Sequence, residues 1–273
     1  MSEDVVKPRP VRSLLRASWL TSRSYRLQMA MSLASLLLTV VPVFFVAGAL
    51  QGVMGPKIVG QGEQYFAFLL VGTVALSLVT ASVSTLPSAV GGGISSGFFE
   101  MLLMSPTPRT SLLVGLSSYG ILWTILRGLL TLAAGWLLGA RIAWASLPGA
   151  LVVLLFIVAT HWAIGVIGTA LILAFRTMGP LPQAVLVLSA LFGGTYYPTH
   201  VIPSWIQHLA AFTPLAYGLR ALRGVLLEGK SLIAVGNDFL MLVAICAALL
   251  VAAAIAFGSA LRYSRRVGSL NLY

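Results

Sequence analysis

The chain has 273 residues, of which 59% are hydrophobic and only 8% are charged. A soluble domain carries about a quarter charged residues, so this composition excludes an ordinary soluble protein. The formal net charge of +11 would suit a nucleic-acid partner. The basic residues instead cluster at the ends of apolar runs, as orientation signals of membrane proteins do, so no nucleic-acid partner is expected.

Residues 1–28 form a basic arm. If residues 12–26 are helical, Arg12, Arg16, Arg23 and Arg26 fall within about 80° of one another, with Trp19 beside them. This pattern is typical of a helix that lies in the headgroup layer, with its arginines on phosphates. The sequence therefore predicts an interfacial lipid contact through these five residues, with a solvated basic tail as the alternative.

Six apolar runs follow, and most reach the roughly 20 residues needed to cross a bilayer. The predicted spans are about 29–50, 65–90, 111–140, 147–175, 181–196 and 239–261. The fifth is short, and Gly91-Gly92-Gly93 is expected to end the second flexibly. The fold class is therefore an all-α polytopic membrane protein. One six-span domain is predicted over residues 29–266, followed by a cytoplasmic tail at 267–273.

The basic residues set the expected orientation. If both termini lie inside, eleven basic residues are cytoplasmic and five are external, which is the bias expected for a multi-pass protein of the cytoplasmic (inner) membrane. The cytoplasmic set is Lys7, Arg9, Arg12, Arg16, Arg23, Arg26, Arg109, Arg176, Arg262, Arg265 and Arg266, and the external set is Lys57, Arg141, Arg220, Arg223 and Lys230.

The stretch from Gly97 to Arg109 lies between the second and third spans and is too short to cross a membrane. Pro106 and Pro108 end any helix near Ser105. A short cytoplasmic helix from Phe98 to Met104 is predicted, with an apolar surface suited to a partner's groove. An apolar loop is the alternative interpretation.

Residues 197–238 are too apolar for a solvated loop and too broken by Pro198, Pro203 and Pro214 for a span. Two short helices joined at Thr213-Pro214 are predicted to dip into the membrane from outside. Irregular backbone survives at this depth only where protein or a wet cavity covers it.

Two of these stretches resemble ABC-2 type permeases, the membrane subunits of ATP-driven exporters, and the span count extends the likeness over nearly the whole chain. In this family the first loop usually carries charged residues before its glycine and a threonine after it, whereas Ser95, Ser96 and Phe98 stand here. The matching residues are Gly97, Glu100, Leu102, Leu103, Ser105, Pro106 and Leu112-Leu113-Val114-Gly115 in the first stretch, and Gly194, Tyr197-Pro198, Ile202-Pro203-Ser204-Trp205, Pro214-Leu215 and Ala221-Leu222-Arg223 in the second.

The resemblance implies a permease subunit that carries no catalytic site and no cofactor of its own. It implies two separate ABC ATPase subunits, which bind the ATP and Mg, and a second permease chain, identical or not. It also implies a lipid, drug or glycan-type cargo. The residues expected to couple to the ATPase are Phe98, Phe99, Glu100, Met101, Leu102 and Leu103.

Arg127 interrupts the third span. A central arginine costs about 2.5–3.5 kcal/mol on insertion scales, so it should face the protein interior or a wet cavity. A role in the substrate pathway or gate and a purely structural role both stay open. Tyr196, Tyr197 and Pro214 are further candidates for that pathway, although aromatic residues at a span end are also common interfacial anchors.

An ion-coupled secondary transporter or channel is the alternative function, and it would place acidic residues inside the membrane. All six acids lie outside the predicted spans: Glu3, Asp4, Glu63, Glu100, Glu228 and Asp238. Residues 224–231 match the phosphate-loop pattern G-x-x-x-x-G-K-[ST], but such a loop must follow a buried strand in a nucleotide-binding domain. We reject that site. His161 is expected to be a packing residue. Arg220 and Arg223 are expected to meet Glu228 or a headgroup, with a structural role favoured for both.

Overall fold

The computed structural model describes residues 8–24, 26–58, 61, 64–104, 107–177, 179–201 and 203–267. The ends of the predicted arm and tail, residues 1–7 and 268–273, lie outside this range. The α-helices of the described residues are α1 Pro8–Ser24, α2 Arg26–Met54, α3 Tyr65–Ser95, α4 Phe98–Met104, α5 Arg109–Leu137, α6 Leu147–Phe175, α7 Leu181–Phe192, α8 Ser204–Ala210, α9 Pro214–Leu226 and α10 Gly236–Val267. Short 3₁₀ turns occur at Gly55–Lys57, Trp144–Ser146 and Thr199–Val201.

Five of these helices, α2, α3, α5, α6 and α10, are long and apolar enough to cross a membrane. The all-α polytopic prediction is confirmed. The predicted fifth span at 181–196 is helical only over Leu181–Phe192, about 18 Å at 1.5 Å per residue. That length is short of a bilayer core of about 30 Å, so α7 does not reach the length of a sixth span.

The prediction that Gly91-Gly92-Gly93 ends the second span was wrong, because α3 continues to Ser95. Each glycine costs a helix about 1 kcal/mol, and packing offsets this cost. Val90 is buried and Ile94 packs against the same cluster. The hydroxyls of Ser95 and Ser96 donate to the Gly92 carbonyl, at 3.0 and 2.9 Å, and close the last turn.

The core forms around α3 and α6, which pack against each other, while much of α2 and α10 is exposed. One apolar cluster joins α3 and α6 to α9, through side chains such as Phe68, Ile157 and Leu222. A second cluster joins the far ends of α3 and α6 to α4 and α10, through side chains such as Leu86 and Phe257. The two clusters place the short helices α4 and α9 at opposite ends of the same pair of long helices.

Gly165 allows α6 to approach the backbone of α3 closely. A Cβ atom at this position would lie 2.7 Å from the Ser82 carbonyl oxygen and 3.0 Å from that of Val83. Since backbone cannot yield as a flexible side chain can, we expect Gly165→Ala to cost about 1–3 kcal/mol. The change should lower the midpoint of thermal unfolding of the detergent-solubilised protein.

Gly258 supplies the matched control for this prediction. It also lies inside a long helix, α10, but nothing approaches its would-be Cβ within 4 Å. Gly258→Ala should therefore leave the midpoint unchanged or raise it, because alanine favours helix. Equal midpoints for the two variants would contradict the close approach of α3 and α6.

Candidate functional site

The short helix α4 spans Phe98–Met104, as the sequence predicts. It follows Gly97, whose φ of +70° is a backbone conformation that glycine adopts readily and that turns the chain after α3. Phe99 is 2% exposed and belongs to the same apolar cluster as Leu86 and Val90. Its Cβ lies close to Gly93 of α3. The burial of Phe99 therefore fixes α4 against the end of α3.

The outer surface of α4 is apolar as well. Phe98 is 46% exposed and Met101 is 65% exposed. These residues are three apart, so they share one face of the helix, whereas Phe99 points elsewhere. Leu102 is half-buried, and the side chains of Glu100 and Leu103 lie outside the described part. Coupling to an ATPase through the six predicted residues stays a prediction. Among them, Phe99 anchors α4 on α3 and does not contribute exposed surface.

Arg127 lies beside a small cleft between α2, α3 and α5. Its Nη2 donates to the Ser35 hydroxyl at 2.9 Å. Its Nε is buried and has no hydrogen-bond partner among the described residues. The expectation that Arg127 faces the protein interior agrees with this position.

Hydroxyl groups dominate the polar lining of this cleft, which has a volume of about 80 Å³. Each donates to a carbonyl of its own helix, as hydroxyls inside helices commonly do, so its oxygen remains free to accept. The residues that carry these hydroxyls are Thr39, Thr73, Ser77, Thr124 and Thr131. The cleft can therefore offer a guanidinium donor and several acceptors to one polar group.

The other pathway candidates lie elsewhere, since the lining of the Arg127 cleft includes none of them. The Tyr196 carbonyl accepts a hydrogen bond from the Tyr65 hydroxyl at 2.9 Å. The Tyr197 hydroxyl donates to the Leu191 carbonyl at 2.7 Å, and Pro214 is the first residue of α9. Tyr196 thus contacts α3 and Tyr197 contacts α7, and the role of these three residues in a pathway stays a prediction.

Arg223 is the centre of that region. It is 1% exposed, and its guanidinium donates to three backbone carbonyls. Nη1 reaches the Gly194 oxygen at 2.8 Å, and Nη2 reaches the Thr195 oxygen at 3.0 Å and the Phe68 oxygen at 3.1 Å. The guanidinium carbon also lies 3.3 Å from the centroid of the Phe68 ring. Arg223 thus satisfies irregular backbone after α7 and connects it to α3 and α9.

Glu228 as the partner of Arg220 and Arg223 was wrong, whereas the favoured structural role of both residues agrees with their contacts. Arg220 pairs with Asp238, at 3.0 Å from Nε and 2.7 Å from Nη2 to the same carboxylate oxygen. Glu228 pairs with Lys230. Because α10 begins at Gly236, three residues before the predicted span, Asp238 lies in its first turn, where a carboxylate favours the helix.

The match to a phosphate loop has no support from the fold. Gly224 lies inside α9, and Val225 and Leu226 are buried. The Lys230 amide donates to the Gly224 carbonyl at 2.9 Å, so the segment closes on itself as a helix end. His161, likewise, is buried in α6, with Nδ1 2.8 Å from the Ile157 carbonyl, and no carboxylate of the described residues bonds to it.

The structure has an N-terminal helix, α1, over Pro8–Ser24, where a helix over residues 12–26 was predicted. Arg12 and Arg16 are exposed, and their contact with lipid stays a prediction. The predicted common stripe of the four arginines stays a prediction. The side chains of Arg23 and Arg26 lie outside the described part. The helix packs on α5 through Leu14, which meets Gly115, and through Trp19 on the arginine side, whose ring meets that of Tyr119 edge-on at 6.4 Å.

These features define the class of protein: an all-α, multi-pass membrane protein built around a buried pair of long helices. The chain matches the family described as ABC-2 type transporter over residues 11–227, and it belongs to that family. The family match and the long apolar helices make this chain a multi-pass membrane protein of a transporter family.

Three curated proteins are among those similar to this chain. The linearmycin resistance permease protein LnrN of Bacillus subtilis (strain 168) is 28% identical over 177 residues, which cover 62% of this chain and 42% of that protein. Nodulation protein J of Bradyrhizobium diazoefficiens is 26% identical over 176 residues, covering 62% and 64%. Nodulation protein J of Rhizobium leguminosarum bv. viciae is 27% identical over 216 residues, covering 77% and 82%. The matched region thus spans less than two thirds of the first two relatives.

Proposed function

We propose that this chain is the permease of an ATP-driven ABC exporter in the cytoplasmic (inner) membrane. Two permease chains, most simply identical, assemble with two separate ATPase subunits, which bind the ATP and Mg. The cargo is an amphiphile of the lipid, drug or glycan type, and the relatives named for linearmycin resistance and nodulation are consistent with that range. The catalytic groups for hydrolysis lie on the ATPases.

The observation that carries this proposal is the two-sided apolar surface of α4. One side, Phe99, is buried on α3. The other side, Phe98 and Met101, is exposed on a seven-residue helix between two spans. A helix held firmly on one side and apolar on the other suits docking into a partner's groove.

The same geometry supports a proposed route by which ATP hydrolysis would act on the cargo. Movement of α4 would be passed to α3 through the packing of Phe99. Because α3 is one continuous helix from Tyr65 to Ser95, the shift would reach Thr73 and Ser77 in the Arg127 cleft. Arg127, as a desolvated donor in this cleft, would then hold or release a polar group of the cargo.

Purification of the tagged chain from its native membrane tests the proposal. We expect an ATPase subunit to copurify in equal amount with the permease and magnesium-dependent ATP hydrolysis to elute with the pair. Mass determination of the intact complex should give two copies of each. A chain that purifies without any ATP-hydrolysing subunit would contradict the proposal and favour the ion-coupled alternative.

The proposed orientation predicts which residues react from outside. Single cysteines at Arg266 and Lys230, both exposed, should differ in labelling by an impermeant thiol reagent on intact cells. The cysteine at 230 should react, and the one at 266 should react only after the membrane is opened. The native Cys246 is buried and should give little background. External labelling at 266 would overturn the orientation.

A further inference from the structure

A cavity of about 420 Å³ lies between α1 and α5. Arg12, Arg16 and Trp19 line it from α1, and Leu122, Trp123 and Leu126 line it from α5. It is separate from the Arg127 cleft, since the two have no lining residue in common. It is the larger of the two, and the packing of Leu14 on Gly115 and of Trp19 on Tyr119 holds its walls together.

The charge of this cavity is positive, and no carboxylate of the described residues lines it. Arg12 and Arg16 are one helical turn apart, so both side chains project from the same face of α1. Neither makes an ion pair or a hydrogen bond within the described part of the chain. Two adjacent guanidinium groups repel each other, and each offers several N–H donors in a planar fork that suits phosphate oxygens.

The remaining walls are apolar and belong to a membrane-spanning helix. Leu122 and Leu126 are both exposed and lie on successive turns of α5, so they form a continuous apolar strip. Trp19 and Trp123 add aromatic surface beside this strip. Aromatic residues of this kind favour the boundary between headgroups and acyl chains.

We propose that this cavity binds an anionic phospholipid. Its phosphate lies between Arg12 and Arg16, and one acyl chain runs along Leu122 and Leu126 toward the bilayer. A protein segment would not account for an arginine pair that opens directly onto the lipid-facing strip of a span. In the orientation proposed above, the lipid belongs to the cytoplasmic leaflet. The bound lipid holds α1 against α5, a role independent of cargo transport.

The test uses quenching of tryptophan fluorescence by brominated acyl chains. The purified chain is reconstituted in phosphatidylcholine vesicles that contain a small fraction of either brominated phosphatidylglycerol or brominated phosphatidylcholine. We expect the phosphatidylglycerol to quench more, because the arginines concentrate it at Trp19 and Trp123. This excess should be lost in R12Q/R16Q and kept in R12K/R16K. Trp123→Phe should reduce it, whereas Trp136→Phe at the C-terminal end of α5 should not.

The double variant R262Q/R266Q removes two exposed cations from the end of α10 and should keep the excess. Equal quenching by the two lipids in the unmodified chain would overturn the proposal, as would an equal loss in R262Q/R266Q. Loss of the excess on addition of inorganic phosphate would show a site for free anions and would also overturn it. No step needs ATP or the ATPase, so failure here leaves the transport proposal standing.

Discussion

Replacement of Arg223 by methionine is expected to destabilise the chain severely. Arg223 is fully buried and donates to the carbonyls of Phe68, Gly194 and Thr195. A hydrogen bond to a charged group contributes about 1.5–3 kcal/mol, and a buried acceptor left without a partner carries its own desolvation cost. Loss of three such bonds should therefore cost more than about 3 kcal/mol. In a membrane interior no water replaces the lost donor.

The measurement is the midpoint of thermal unfolding in detergent, followed by size-exclusion chromatography of a fluorescent fusion. Arg223→Met should lower the midpoint by many degrees or leave mostly aggregated protein. Arg223→Lys should recover only part of the lost stability, since lysine lacks the planar fork of donors.

Arg220→Met is the matched control, one helical turn away in α9. The pair of Arg220 and Asp238 is about one third exposed on both sides, and such pairs contribute about 0–1 kcal/mol. This variant should change the midpoint little. If Arg220→Met and Arg223→Met unfold at the same midpoint, Arg223 is not the residue that stabilises the loop after α7.

The helices whose ends are set by nearby residues, such as prolines, were predicted from the sequence. The helix Phe98–Met104 and the span 147–175 both have the predicted limits. Pro106 and Pro108 follow the first, and the second is a continuous apolar run with Pro148 in its first turn, where proline is tolerated. The short helices on either side of Thr213 were likewise predictable from Pro203 and Pro214.

Contacts between residues distant in sequence determine the features that local sequence patterns did not predict. Packing of Ile94 and Phe99 keeps α3 helical across the three glycines. Tertiary contacts here override the low helix propensity of glycine. Arg223 bonds to residues 29 and 155 positions away, so its partners could not be read from neighbours in sequence. The different exposure of Phe98 and Phe99 depends on how α4 sits on α3, which no pattern in residues 97–109 specifies.

The different exposure of Phe98 and Phe99 leads to the second large expected effect. If α4 docks into an ATPase, the contact is made by Phe98 and Met101, which are 46% and 65% exposed. Truncation of an apolar anchor in an interface typically costs more than about 1 kcal/mol. The double variant F98A/M101A should therefore weaken ATPase binding by about tenfold or more. Binding is measured as the apparent Kd of the copurified ATPase for the solubilised permease.

Phe175→Ala is the control for removal of an exposed aromatic side chain. Phe175 is 66% exposed at the end of α6, on the side that the orientation proposal makes cytoplasmic, and it is not part of α4. Its loss should leave the apparent Kd unchanged. Both variants should keep the unfolding midpoint of the unmodified permease, because neither removes buried surface.

Phe99→Ala should behave differently from F98A/M101A. It removes a buried side chain, so it should lower the stability of the permease by about 3–5 kcal/mol and loosen α4 from α3. ATPase subunits that still bind should then hydrolyse ATP with weaker stimulation by cargo, because movement of α4 no longer reaches the Arg127 cleft. If F98A/M101A keeps full affinity, the exposed face of α4 is not the docking surface. If Phe99→Ala keeps full coupling, α3 is not the connection between α4 and the cleft.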